Sequence, residues 1–251
     1  MMNLKFKGPS ITLLQKFRYN PRALVNANPL WRGNLIPHYP IERNIMIVNE
    51  KQYDVTKLIR DMNRVFKNTH WKNKESDGSW KSITLKGYNG NTQDWLENTE
   101  LGTNENNKYK YTQAVVGCNY FKDIFDSLNT EIYLVRLLKL RKHSKIKYHT
   151  DEVVFKNKWN IIRCHLPIVT DNKNIMKLGM PLQAPKYHIW RAEDLYSKHM
   201  SAGNLWYTNV NMLHSVENNS DIDRIHLVID LRPTAEILEK IYNISPYYNA
   251  P

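Results

Sequence analysis

From Asn129 onward the chain sets down one short β-rich run after another, each closed by turn residues, and this rhythm limits the possible folds more than any other feature. Ile132, Leu134, Leu138 and Leu140 share one parity. Ile161-Ile162-Arg163-Cys164-His165-Leu166-Pro167-Ile168-Val169 is a second run, and Leu205-Trp206-Tyr207 and Arg224-Ile225-His226-Leu227-Val228-Ile229-Asp230-Leu231 follow. Branched and aromatic side chains suit a pleated surface, and alternate residues of a strand face opposite ways. Several such strands divided by turns imply an all-β barrel or jelly roll with flanking helices.

Helical spacing appears outside this block. Val55, Leu58, Ile59, Met62, Val65 and Phe66 recur at intervals of three and four, with Asp54 placed as N-cap; Phe121, Ile124, Phe125 and Leu128 repeat the pattern. Thr234 through Ile237, Leu238 and Ile241 reads as a short closing helix. Pro9, Pro21, Pro29, Pro37 and Pro40 give the first ~50 residues the character of an extended segment wrapping the body, since proline blocks helices and central strands. The expected organisation is one domain: residues 1–78 an extended and helical embellishment, 79–232 the β core, 233–251 a helix and tail. Lys74 to Asn107 is rich in Gly, Asn, Asp and Ser, with Ser79 to Leu85 alternating like a strand. Its Trp80, Tyr88 and Trp95 offer a substrate lid, with simple core filling as the alternative for each.

Bulk properties narrow the partners. At 251 residues and 41% hydrophobic content the chain can bury a core and is too apolar to be disordered. The 36 Lys plus Arg against 24 Asp plus Glu give a charge of +12, which favours anionic partners, nucleic acid among them, or else only keeps the surface solvated. Lys139-Leu140-Arg141-Lys142 and Lys145-Ile146-Lys147 can steer an anion toward residues just beyond them. Cys118 and Cys164 are too few for a cysteine zinc site or a disulfide framework. No apolar run approaches the ~18 residues of a membrane span, so a cytoplasmic protein without membrane partners is expected.

The chemistry concentrates around His149-Thr150-Asp151. In extended backbone these two side chains project to the same side and can chelate one ion. Alone such a triplet is weak. His38, His70, His143, His188 and His199 have no carboxylate at strand spacing and read as ordinary histidines. His214, in Met212-Leu213-His214-Ser215-Val216-Glu217-Asn218, supplies a third ligand. Two imidazoles and a carboxylate on one face of an octahedral ion leave three positions open, the facial triad of non-haem iron(II) oxygenases. Arg224 follows His214 by ten residues across a polar turn, which places the two on neighbouring antiparallel strands. An arginine there can hold the far carboxylate of a dicarboxylate.

In this order, His149-Thr150-Asp151, Arg163-Cys164-His165-Leu166, Gly203-Asn204-Leu205-Trp206, His214-Ser215-Val216-Glu217-Asn218 and Arg224 to Asp230 resemble the aspartyl/asparaginyl β-hydroxylase family. That family belongs to the iron(II)- and 2-oxoglutarate-dependent oxygenases, and bacterial free-proline hydroxylases are similar to it. The resemblance covers residues 79 to 232. It implies a double-stranded β-helix (jelly roll, cupin-like), iron(II) held by His149, Asp151 and His214, 2-oxoglutarate held by Arg224, and dioxygen as co-substrate. Arg163 and His165 match the family's R-x-H element and are further candidates for cosubstrate contacts. The animal aspartyl hydroxylases carry glycine where this chain has Asp151, so their peptide substrate does not carry over. Halogenases of the wider class need a small residue there, so Asp151 favours hydroxylation.

The expected substrate is an amino-acid side chain, free or in a peptide, oxidised at an unactivated C–H bond with release of succinate and carbon dioxide. A nucleic-acid or nucleotide oxygenase of the same cofactor class is the first alternative, and a non-catalytic basic β-barrel binding module the second. The 33 residues from Thr170 to Ala202, including Tyr187-His188-Ile189-Trp190-Arg191, match no pattern and read as a pocket-shaping insertion or a surface loop.

Overall fold

The computed structural model describes residues 41–49, 51–92, 109–151, 162–181, 192–210, 212–232 and 234–242. The expected N-terminal extended segment lies almost wholly outside these residues. So do Trp95 and Tyr187-His188-Ile189-Trp190-Arg191.

The described elements are β1 (Ile45–Ile47), α1 (Val55–Asn68), β2 (Lys72–Asn73), β3 (Trp80–Tyr88), β4 (Tyr109–Tyr111), α2 (Asn119–Ser127), β5 (Ile132–Leu140), β6 (Ser144–His149), β7 (Ile162–Val169), β8 (Asn174–Pro181), β9 (Ala192–His199), β10 (Trp206–Thr208), β11 (His214–Asn218), β12 (Arg224–Leu231) and α3 (Ala235–Tyr242). A larger sheet runs β1-β10-β7-β12-β5-β3-β2 with β4 on β3, and a smaller one runs β6-β11-β8-β9. Apart from the β8–β9 hairpin, consecutive strands from β5 to β12 switch sheets at every turn, and all their pairings are antiparallel. That winding is the double-stranded β-helix, or jelly roll.

Two expectations change. His214 and Arg224 are not on neighbouring strands: β11 pairs with β6 and β8, and β12 with β5 and β7. In a jelly roll the turn between such strands folds one over the other, so the two residues belong to opposite sheets. The stretch 170–202 is not an insertion, since it carries β8 and β9 of the smaller sheet. Its strands were hidden because β9 reads Ala-Glu-Asp-Leu-Tyr-Ser-Lys-His, an edge strand with little branched or aromatic content.

The main core lies on the outer face of the larger sheet. Cys164, Leu166 and Ile168 of β7 and Ile225, Leu227, Ile229 and Leu231 of β12 pack there against Leu58, Met62 and Val65 of α1 and Phe121, Ile124 and Phe125 of α2. Burying each large aliphatic side chain stabilises by about 1.5–3 kcal/mol. Asp54 caps α1 as expected, its carboxylate accepting from Lys57 N at 3.1 Å. The α2 N-cap, Cys118, makes no side-chain cap bond; Asp61, fully buried on α1, accepts from Phe121 N at 3.0 Å instead and ties the helices together. Gly203, at φ +75°, turns the chain into β10, and a Cβ there would stand 2.6 Å from Tyr53 O.

A second cluster, Ile45, Leu140, Met176, Leu178, Met200, Trp206, Met212 and Val216, fills part of the space between the sheets, with Trp80 and Ile146 packed on it. Trp80 and Tyr88 are therefore strand residues rather than loop residues, at opposite ends of β3 and roughly 26 Å apart at the usual strand rise. Trp80 joins the inner cluster and Tyr88 packs edge-on against Tyr109 at 5.8 Å. They cannot form one lid.

Candidate metal centre

His149 closes β6 and His214 opens β11, and the two face each other in register. Ile146 is already turned inward, and plain alternation would send His149, three residues on, to the opposite face. The ladder shifts between the Ile146–Val216 and His149–His214 pairs, so β6 carries one residue more than β11 there. This bulge turns His149 inward beside His214, the use such irregularities commonly have next to functional sites. Asp151, two residues beyond the strand, is held by its backbone N–H donating to Val210 O at 3.0 Å.

One ligand atom from each of His149, Asp151 and His214 lies within 4.8 Å of the others, and this is the only such group of three or more among the described residues. Nδ1 of His149 is 2.8 Å from Lys147 O, and Nδ1 of His214 is 2.8 Å from Met212 O. A carbonyl only accepts, so each Nδ1 carries the proton and each Nε2 keeps its lone pair for a metal. Burial pulls His214 down to about 4, with the neighbouring His149 acting in the same direction, so its imidazole is neutral near pH 7. Burial would raise Asp151, but the Arg163 guanidinium above all, with His214 and His149 acting in the same direction, outweighs it and holds the carboxyl at about 2. Two imidazoles whose Nε2 lone pairs are free and an ionised carboxylate, converging on one point, fit a divalent iron ion. His214 is buried while the His149 and Asp151 side chains keep 33% and 19% of their exposure, so the centre opens on their side.

The inner face of the larger sheet supplies the surroundings. Arg163 and His165 share a face of β7 as expected. Arg163 sits opposite Asp230 in the β7–β12 ladder and grips it twice, Nε to Oδ1 at 2.7 Å and Nη2 to Oδ2 at 2.9 Å, while Nη1 reaches Asp151 Oδ2. Arg136 Nη2 stands 3.4 Å from the same Asp230. Arg224 has no carboxylate beside it among the described residues; its Nη2 lies 2.9 Å from Nδ1 of His226, and burial alone drags the guanidinium down to about 9. Burial and then the charge of Arg224 also keep His165 and His226 neutral. Nδ1 of His165 and Nε2 of His226 are buried with no hydrogen-bond partner among the described residues. A buried arginine without a counter-charge, flanked by two unsatisfied imidazole nitrogens, fits an anionic ligand.

Sequence reasoning named the three candidate metal ligands and Arg224 but passed over Asp230 and Arg136. Asp230 had a signal in β12, where Arg224, His226 and Asp230 share one parity in an otherwise apolar strand; Arg136 had only its place as a charge inside the apolar run of β5.

A jelly roll with a two-histidine, one-carboxylate set between its sheets defines a mononuclear metal protein of the cupin-like kind. More particularly, the chain belongs to the aspartyl/asparaginyl β-hydroxylase family, whose model matches residues 46–233. No curated protein matches it by sequence. Among solved structures it is similar to the epimerase SnoN in complex with Fe3+, alpha ketoglutarate and nogalamycin RO, at 11% identity, TM-score 0.49, covering 92% of this chain and 93% of that one. It is also similar to an oxidoreductase of the 2OG-Fe(II) oxygenase family from Burkholderia pseudomallei, at 13% identity, TM-score 0.43, covering 84% and 89%. Likeness at this level does not bear on activity.

Proposed function

We propose that this chain is an iron(II)- and 2-oxoglutarate-dependent dioxygenase that hydroxylates an unactivated C–H bond of an amino-acid side chain, free or in a peptide, releasing succinate and carbon dioxide. The observation that carries the reading is the pairing of a converged His149-Asp151-His214 set with a buried, uncompensated Arg224 inside one jelly roll. Bound iron and 2-oxoglutarate supply the oxidising chemistry; the protein supplies ligation, orientation and exclusion of water.

His149 and His214 present fixed Nε2 lone pairs because the carbonyls of Lys147 and Met212 hold their Nδ1 protons. Asp151 supplies the anionic ligand. Arg224 receives the distal carboxylate of 2-oxoglutarate through charge-assisted hydrogen bonds, and His165 and His226 offer their unsatisfied nitrogens to the same ligand. Arg163, already engaged by Asp230 and Asp151, acts on the centre rather than on the cosubstrate's far end. The family supports an amino-acid substrate. The nucleic-acid alternative draws on the +12 charge, which by itself specifies no partner. No described helix is long and apolar enough to cross a membrane.

Anaerobic titration with iron(II) and then 2-oxoglutarate should give a weak metal-to-ligand charge-transfer band that His149→Ala abolishes. A folded, metal-loaded sample without that band overturns the assignment. Succinate release dependent on one member of an amino-acid and peptide panel then identifies the substrate, and its dependence on a nucleotide instead would favour the alternative.

A further inference from the structure

The contact between Arg163 and Asp151 poses a problem. An arginine beside a metal-binding carboxylate ordinarily takes both of its oxygens in a two-point pair, which would withdraw the carboxylate from the ion. Here Asp230 holds the Nε–Nη2 edge and so sets the direction of the guanidinium. Of the remaining N–H groups, Nη1 meets Asp151, and it takes Oδ2. The other oxygen, Oδ1, points to the metal side, 3.6 Å from His149 Nε2.

We infer that Asp230 is a positioning residue of the metal centre: by holding the Nε–Nη2 edge of Arg163 it orients that arginine so that Nη1 meets one oxygen of Asp151 and leaves the other for the ion. The inference rests on the proposed metal-binding role of His149, Asp151 and His214, and adds to it a residue that touches neither metal nor cosubstrate. Three features suit Asp230 to this task. It is fully buried, so no water competes for Arg163. It lies directly across the ladder from Arg163, so the strands fix the pair without a flexible loop. Arg136, 3.4 Å away, gives the Asp230 carboxylate a second cationic partner that holds it in place.

The consequence is chemical. An aspartate that gives one oxygen uses one coordination position, so the two histidines and Asp151 together fill three of six and leave three for cosubstrate and dioxygen. If Asp151 turned to Arg163 with both oxygens, the centre would lose its only anionic ligand. The partners of metal ligands commonly shift metal affinity by about 10–100-fold when removed.

The test compares Mn(II) affinity without 2-oxoglutarate, by electron paramagnetic resonance titration, in three proteins: wild type, Asp230→Asn, and Asp230→Asn combined with Arg163→Met. Asp230→Asn should bind Mn(II) about 10–100-fold more weakly, because the released edge of Arg163 competes for Asp151. The double variant, which lacks the competitor, should return to within roughly threefold of wild type. Unchanged affinity in Asp230→Asn overturns the inference, and so does a double variant as weak as the single one, since a purely structural role predicts no rescue. If Asp230→Asn does not fold, the double variant decides: near-wild-type affinity supports the inference and a loss beyond tenfold overturns it. Failure of wild type itself to bind Mn(II) strikes instead at the proposed metal centre.

Discussion

The two faces of the larger sheet come from the same strands and are equally dry, yet they do opposite work. On β12, where all eight residues are buried, Ile225, Leu227, Ile229 and Leu231 enter the helix-covered core, while Arg224, His226 and Asp230 turn between the sheets. The outer face needs only shape and apolar area. The inner face must satisfy every charge it encloses. It does this only in part: around Asp230 the charges answer one another through Arg163 and Arg136, whereas around Arg224 they do not, and two imidazole nitrogens stay unsatisfied as well. The unsatisfied end is where a ligand belongs.

The largest expected effects break the inner face alone. His214→Ala should lower Mn(II) affinity by more than about 100-fold, beyond the loss usual for an outer partner, while thermal unfolding of the metal-free protein changes little. A comparable loss of fold would mean that His214 is a core residue and not a ligand. Arg224→Met should weaken 2-oxoglutarate binding to the Mn(II)-loaded protein by roughly 100-fold, the order expected when a buried charge-assisted pair loses one member. The ligand-free form should be as stable as wild type or more so, because an uncompensated buried charge has been replaced by apolar volume. A marked drop in melting temperature would show that Arg224 is satisfied from within the fold.

How legible these faces were follows from their period. The odd positions of β12 are all branched aliphatics, so the strand, its ends and the jelly-roll class could be read directly; α1, with Asp54 at its start, was equally plain. Polar residues set between them normally signal a solvated side, and nothing announces that Arg224, His226 and Asp230 are enclosed. Only the second sheet encloses them, and β8 and β9 of that sheet were the strands the sequence concealed. The candidate metal-binding set was legible because a local spacing placed His149 and Asp151 together, yet the bulge that turns His149 inward has no signature of its own. The Arg163–Asp230 pair joins residues 67 positions apart, and no local pattern reports it.

The outer face should respond in the reverse sense. Leu227→Ala removes a fully buried side chain from the helix-covered core and should cost about 2–5 kcal/mol in denaturant unfolding, the range for such cavities. Metal affinity of the remaining folded protein should stay within roughly twofold of wild type, since residues 226 and 228 keep their ladder positions. A large change in metal affinity would mean that the two faces are mechanically coupled through the strand and not divided by it.

The smallest effect tests the far edge of that same core. Asp54 is half exposed, and its only evident task is to accept from Lys57 N and start α1. Asp54→Ala should therefore cost about 1 kcal/mol, the usual worth of a helix cap. Asp61, on the inward side of the same helix, makes the informative contrast: its carboxylate is fully buried and caps α2 across a tertiary contact, so Asp61→Ala leaves the Phe121 N–H buried without an acceptor and should cost about 1–3 kcal/mol. Both losses should appear in unfolding curves and neither in Mn(II) affinity, because α1 meets the larger sheet only on its outer side. If Asp61→Ala were no more costly than Asp54→Ala, α2 would be held by its apolar contacts alone, and the helix layer would be a looser cover over the sheet than its burial suggests.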